Sequence, residues 1–143
     1  MAHKATDLIA AEFTGTGLKF TTGEIQSISF VEAGFNGKNS SVTIRFISVD
    51  EDNDVKVLTE DFIKVPDAAR DRMYRILNQQ NRKYKYVKFT MDEQDGGISA
   101  QYDFPLRLAD EEVGPVAVEI ALRFAKIIDD SYSDFMQSIW GGR

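Results

Sequence analysis

The sequence predicts an α+β fold: an antiparallel sheet with helices packed on it, in the order helix, three strands, helix, two strands, long helix. Three observations carry that prediction. Val42, Ile44 and Phe46 alternate with Thr43 and Arg45, the period-two pattern of a strand with one buried face. Ala69, Met73, Ile76, Leu77 and Gln80 recur at helical spacing, as do Ile120, Phe124, Ile127, Ile128, Tyr132, Phe135 and Ile139. Two apolar-patterned runs flank Asp95-Gly96, a dipeptide suited to a tight turn.

Taken in order, residues 4–13 read as a short helix in which Leu8, Ile9, Glu12 and Phe13 stack roughly one turn apart. Gly15 and Gly17 end it. Phe20 and the run from Ile25 to Glu32 form the first strand region, followed by a loop over Gly34-Phe35-Asn36-Gly37-Lys38-Asn39. The second strand spans Val42 to Val49. The third runs from about Val55 to Val65, after an acidic loop at 50–54. Ile47, Val49 and Leu58 put apolar groups on the nominal outer face as well, which suits strands covered partly on both sides.

Pro66 opens the next helix, where its missing N–H is no loss, and the helix runs to about Gln80. The hairpin follows. With Asp95 and Gly96 as the central residues of a type I′ turn, Phe89 faces Tyr102, Val87 faces Phe104 and Met91 faces Ala100 on the apolar side. Lys88 then faces Asp103, and Thr90 faces Gln101, on the polar side. After the acidic loop 110–112, Gly114 is expected as a cap and Pro115 as the first residue of the long helix. That helix reaches Gly141-Gly142, with a bend or break near Asp129-Asp130-Ser131.

The chain is 143 residues long, with 43% apolar and 28% charged residues, enough for one domain over residues 1–143 with its own core. It has no cysteine, which removes disulfides and thiolate metal sites and fits a reducing cytoplasm. The first residues lack a signal-peptide core, and no apolar run reaches membrane-spanning length. A net charge of −6 opposes global attraction to nucleic acid or anionic lipid.

Candidate chemistry is sparse. Asp50, Asp52, Asp54 and Asp61 take the spacing of a calcium loop, but Val55 stands where that loop turns on glycine, and Asp61 where it ends on a bidentate glutamate. Gly34 to Ser40 lacks the spacing of a phosphate loop. Arg82-Lys83-Tyr84-Lys85-Tyr86-Val87-Lys88-Phe89 interleaves bases and aromatics as RNA-stacking strands do, yet Lys83 and Lys85 occupy the small positions of that consensus. His3, the sole histidine, has no serine and third group to complete a relay. Asp129-Asp130 reads as a solvated helix face unless a pocket separates the two pKa values. No catalytic residue, metal or cofactor is expected.

Leu77-Asn78-Gln79-Gln80-Asn81 leaving the helix, Val87-Lys88-Phe89, Asp95-Gly96-Gly97-Ile98, the exit Phe104-Pro105-Leu106 and a long last helix containing Tyr132 together resemble the YbjN-like family. The fold of that family is similar to that of class I type III secretion chaperones. The resemblance implies a small acidic bacterial regulator of sensory transduction, with no catalytic residues to carry over. The chaperone relatives form homodimers and hold an extended segment of a partner.

The leading expectation is therefore a non-enzymatic cytoplasmic regulatory or protein-binding module. It would be a homodimer recognising a protein partner on a sheet edge or helix face, with no nucleic acid and no membrane. Phe35, Tyr84, Tyr86 and Trp140 are the candidate partner-binding residues, because aromatics are favoured at interfaces. A type III secretion-type chaperone and a small-molecule-binding enzyme are the alternatives.

Overall fold

A computed structural model describes residues 2–105 and 107–141. Leu106 and Gly142, expected at the ends of the hairpin and of the last helix, lie outside the described residues. Helix α1 (Lys4–Thr16) leads into strands β1 (Thr21–Ile25), β2 (Ile28–Asn36), β3 (Ser41–Ser48) and β4 (Lys56–Lys64). A single 3-10 turn, Asp67–Ala69, then precedes α2 (Arg70–Lys83). Strands β5 (Lys88–Met91) and β6 (Gly97–Asp103) and the long helix α3 (Asp110–Trp140) complete the chain. The sheet is antiparallel, with strand order β1-β2-β3-β4-β6-β5.

The sheet has six strands where the sequence predicts five. The first strand region is a hairpin, turning at Gln26-Ser27 with Ile25 opposite Ile28. Gln26 takes φ +56°, a conformation that usually selects glycine, so the turn leaves no glycine or asparagine as a sign. Gly23, the nearby glycine, lies within β1 instead. The Phe30 ring lies over it so closely that a Cβ there would stand 2.4 Å from the ring. Strand β2 also continues through Gly34, Phe35 and Asn36, which the sequence places in a loop.

All three helices lie on one face of the sheet. Val31, Ala33, Ile44, Phe46, Val57, Phe89, Ile98 and Ala100 point into them and are buried. Phe13 of α1 meets Phe46 edge-on at 5.5 Å, and Phe135 of α3 meets Phe89 at 5.1 Å. Gly17, at φ +79°, closes α1 with its N–H and that of Leu18 turned back on the last turn. In α2 the expected stripe is the inward one, and its polar member Gln80 is satisfied. Its side chain bonds Asp134 at 2.9 Å and accepts from the buried Ser131 at 3.1 Å.

Helix α3 starts five residues earlier than expected. Asp110, Glu111 and Glu112 form its first turn, where acids complement the helix dipole, and the Glu112 carboxylate accepts the Ala109 N–H at 3.0 Å. Pro115 sits inside the helix and leaves one helical bond unmade. Gly114 is not a cap. It lies where α3 packs closely on α1, since a Cβ there would lie 2.7 Å from Glu12 Cβ. The helix also runs unbroken through Asp129-Asp130-Ser131.

The β5–β6 hairpin keeps the predicted faces but not the predicted pairs. Phe89 faces Ala100 and Met91 faces Ile98, while Lys88 faces Gln101 and Thr90 faces Ser99. The connection is a five-residue loop, 92–96, rather than a two-residue turn. The Asp92 carboxylate accepts from the amides of Gln94 and Asp95, and only Gly96 has positive φ. Pairing shifts by two residues, so every side chain stays on its expected side.

Candidate interaction surface

Among the described residues, no helix covers the second face of the sheet. Cross-strand pairing sets Gly23, Phe30, Ile47 and Lys56 in one row across it, and Thr21, Glu32, Arg45, Leu58 and Gln101 in the next. Ile25 and Ile28 stand beside the first row, at the hairpin end. Phe30, Ile47, Leu58 and Ile28 are half-buried, and Ile25 is 59% exposed. Val49, just past β3, is also exposed. The apolar outer positions Ile47, Val49 and Leu58 seen in the sequence thus belong to an uncovered patch. An ion pair sits within it. Glu32 accepts from Arg45 at 2.8 Å, and the Arg45 guanidinium lies 4.9 Å from the centre of the Phe30 ring.

The two edges of the sheet differ. At β5 the Asn81 side chain, at the end of α2, accepts the Phe89 N–H at 2.6 Å and donates to the Phe89 carbonyl at 3.0 Å. That amide occupies the backbone groups a further strand would use. Strand β1 has no strand on its outer side and carries neither lysine nor proline.

The expected partner-binding aromatics are distributed rather than gathered. Phe35, in β2, packs partly against the core and lines a cleft of about 480 Å³ with Val42, Leu122 and Ala125. Tyr84 caps α2, half-buried, with the Lys83 ammonium 5.2 Å from its ring centre. Tyr86 is 68% exposed and lies 5.8 Å from Tyr102, ring centre to ring centre. Neither tyrosine is in a strand, because β5 begins only at Lys88. Trp140, 75% exposed, ends α3. It is held there by Arg72 of α2, which donates to the carbonyls of Ser138 and Ile139 at 2.8 and 3.1 Å.

Tyr86 has a strained backbone. Its φ is +69°, and the Val87 N–H reaches back to the Lys85 carbonyl at 2.8 Å, closing a γ-turn centred on Tyr86. A turn of this kind costs about 1–3 kcal/mol. Burial raises the pKa of Tyr102 beneath it.

Two acids line the Phe35 cleft, and both are engaged. The loop at 37–40 wraps Asp129, whose carboxylate accepts from the amides of Lys38, Asn39 and Ser40 at 3.1, 2.8 and 3.0 Å, and from the Ser40 hydroxyl at 3.2 Å. These bonds, that of Asn39 first, hold the Asp129 carboxyl below its ordinary pKa of 3.8. Asp130 pairs with Lys126 at 3.1 Å. The aspartates of the calcium-like spacing do not converge: Asp50 accepts from the Asp52 amide, while Asp61 lies in an irregular part of β4 beside Lys64. Among the described residues no three His, Cys, Asp or Glu side chains form a group able to hold a metal ion. No helix among them is long and apolar enough to cross a membrane.

Sequence reasoning missed Phe30, Arg45 and Asn81 as members of a surface. The pairing of Phe30 with Ile47 depends on a hairpin that the sequence does not mark. The Asn81 contact joins residues on two different elements.

Comparison with known proteins fits this architecture. Residues 6–138 match the YbjN family, described as "Putative bacterial sensory transduction regulator". The crystal structure of YbjN from E. coli, described as a putative transcription regulator, superposes with a TM-score of 0.61. The likeness covers 90% of this chain and 91% of that one, at 15% sequence identity, and is a likeness of fold. No curated protein matches the sequence. With the family match running over nearly its whole length, the chain belongs to the YbjN family.

Proposed function

We propose that the chain is a non-enzymatic regulatory module of the bacterial cytoplasm, working as a single domain through protein–protein contacts. Its principal contact surface is the uncovered face of the sheet. The observation that carries this reading is the apolar row on that face: Phe30 and Ile47, flanked by Ile25, Ile28 and Leu58, with no helix over them. The first occupant is a second copy. The face is nearly self-neutral at its centre, where Glu32 and Arg45 already pair, so two copies can meet across a two-fold axis without opposing like charges. Two sheets packed in this way lie about 10 Å apart and interdigitate their apolar side chains.

Sedimentation equilibrium of the chain and of Ile47→Lys tests the proposal. The unmodified chain is expected as a dimer at micromolar concentration and Ile47→Lys as a monomer with unchanged far-UV circular dichroism. A chain that stays monomeric at high concentration, or an Ile47→Lys variant that dimerises equally well, removes the sheet face as the contact surface.

A further inference from the structure

The segment between α2 and β5 carries an unusual local charge. Arg82, Lys83, Lys85 and Lys88 stand within seven residues without an acid among them, in a chain of net charge −6. All four are exposed, and none forms an ion pair among the described residues. Elsewhere Lys4, Arg45, Lys64, Arg70, Arg123 and Lys126 each meet a carboxylate within 4 Å, while Lys19, Lys38, Lys56 and Arg75 are also exposed without an ion pair among the described residues but are scattered along the chain. Lys83 lies over the Tyr84 ring and Lys88 donates weakly to the Val87 carbonyl, but no carboxylate among the described residues neutralises the charge of this corner.

The Tyr86 γ-turn adds a second, independent sign. A tyrosine at φ +69° is a conformation that folding alone does not favour, and here it holds a ring mostly in solvent, in the same short segment as the four cations. Strain kept at an exposed aromatic suggests a contact that the isolated chain does not make. Lys88 also sits at the end of the row through Gln101, Leu58 and Arg45, so the corner adjoins the uncovered sheet face.

We propose that the Arg82–Lys88 corner docks an acidic polypeptide segment, its carboxylates meeting the four cations and a neighbouring apolar or aromatic side chain lying on Tyr86. The inference rests on the reading that the chain acts by protein contacts, and it names the chemistry of one partner. Polypeptide fits better than nucleic acid because the basic area is small. Asp103 lies beyond Gln101, and Glu119 pairs with Arg123 near Tyr102, so a continuous polyphosphate leaving the corner would meet negative charge.

Fluorescence anisotropy tests this with two labelled probes of equal length, a peptide of glutamate and leucine and an oligothymidylate. The peptide is expected to bind at low salt, more weakly as salt rises. The Lys83→Glu/Lys85→Glu variant should lose about tenfold or more in affinity, with Lys83→Gln/Lys85→Gln intermediate. Tyr86→Ala should weaken binding of the peptide without changing its salt dependence. Peptide binding that ignores the charge reversal, absence of binding at low salt, or tighter binding of the oligothymidylate would each overturn the proposal. Charge reversal at the corner should leave the oligomeric state intact, and Ile47→Lys should leave peptide binding intact, so the two readings fail separately.

Discussion

Phe46 and Ile47 are neighbours in β3 whose side chains leave opposite faces of the sheet, so truncating each to alanine compares the covered face with the uncovered one. The Phe46 ring is wholly buried, edge-on to Phe13 at 5.5 Å and to Phe104 at 6.4 Å. Phe46→Ala removes those ring contacts and leaves a cavity closed by α1, for an expected loss of about 3–5 kcal/mol. Ile47 is half-buried between Phe30 and Lys56 with solvent above it, so its loss opens no cavity. Complete burial of an isoleucine contributes about 1.5–3 kcal/mol, and half of that at most applies here, about 1.5 kcal/mol or less. Urea melts in dilute solution, where association contributes little, measure both. The expected outcome is a much lower midpoint for Phe46→Ala, a small shift for Ile47→Ala and an unchanged slope in each. Equal losses at the two positions would refute the assignment of faces, and with it the uncovered patch.

Three further outcomes follow from single contacts. Tyr86→Gly relieves the positive φ, a gain of about 1 kcal/mol, and loses a ring pair of similar worth. Its melting temperature should therefore stay near that of the parent chain while binding of the acidic peptide falls, whereas a structural Tyr86 would show a clear drop in stability. Gly114→Ala should destabilise by about 1–3 kcal/mol in urea melts despite alanine's better helix propensity, because its Cβ would press on Glu12 at the α1–α3 contact. The Asp129 carboxyl has a depressed pKa in the folded chain, so its stabilisation is present above the unfolded value of 3.8 and is lost as pH falls through the lower folded value. Amide exchange at Lys38, Asn39 and Ser40 should accelerate over that acid range. Asp129→Asn should show faster exchange at neutral pH and no such acid step.

Much of the fold was legible because it depends on local periodicity. The stripe from Ala69 to Gln80 and the one from Ile120 to Ile139 mark helices whose inward faces the structure reproduces, and Val42, Ile44 and Phe46 mark β3. What failed was set by contacts that composition does not carry. Gln26-Ser27 turns the chain without glycine, asparagine or aspartate at its positive-φ position, so two strands read as one. Asp92 builds a five-residue loop through its carboxylate, which displaced the hairpin pairing chosen from Asp95-Gly96. Gly114-Pro115 resembled a helix start, yet Gly114 is small because α1 passes over it. Of the candidate aromatics, Tyr86 and Trp140 are exposed, and Phe35 and Tyr84 are partly packed against the core. Exposure depends on which helix covers which face, and that is a tertiary property. The apolar outer positions of β3 and β4 were visible in the sequence, but only the pairing with Phe30 joins them into a surface.

The account depends most on the sheet face being closed by a second copy, and isoleucine methyl resonances report on that face directly. In solution with a soluble paramagnetic agent, the methyls of Ile28 and Ile47 should become shielded as protein concentration rises. Those of Ile44, buried under the helices, should be shielded at every concentration. Equal relaxation of Ile28 and Ile47 at all concentrations, as strong as that of a freely exposed methyl, would contradict the account.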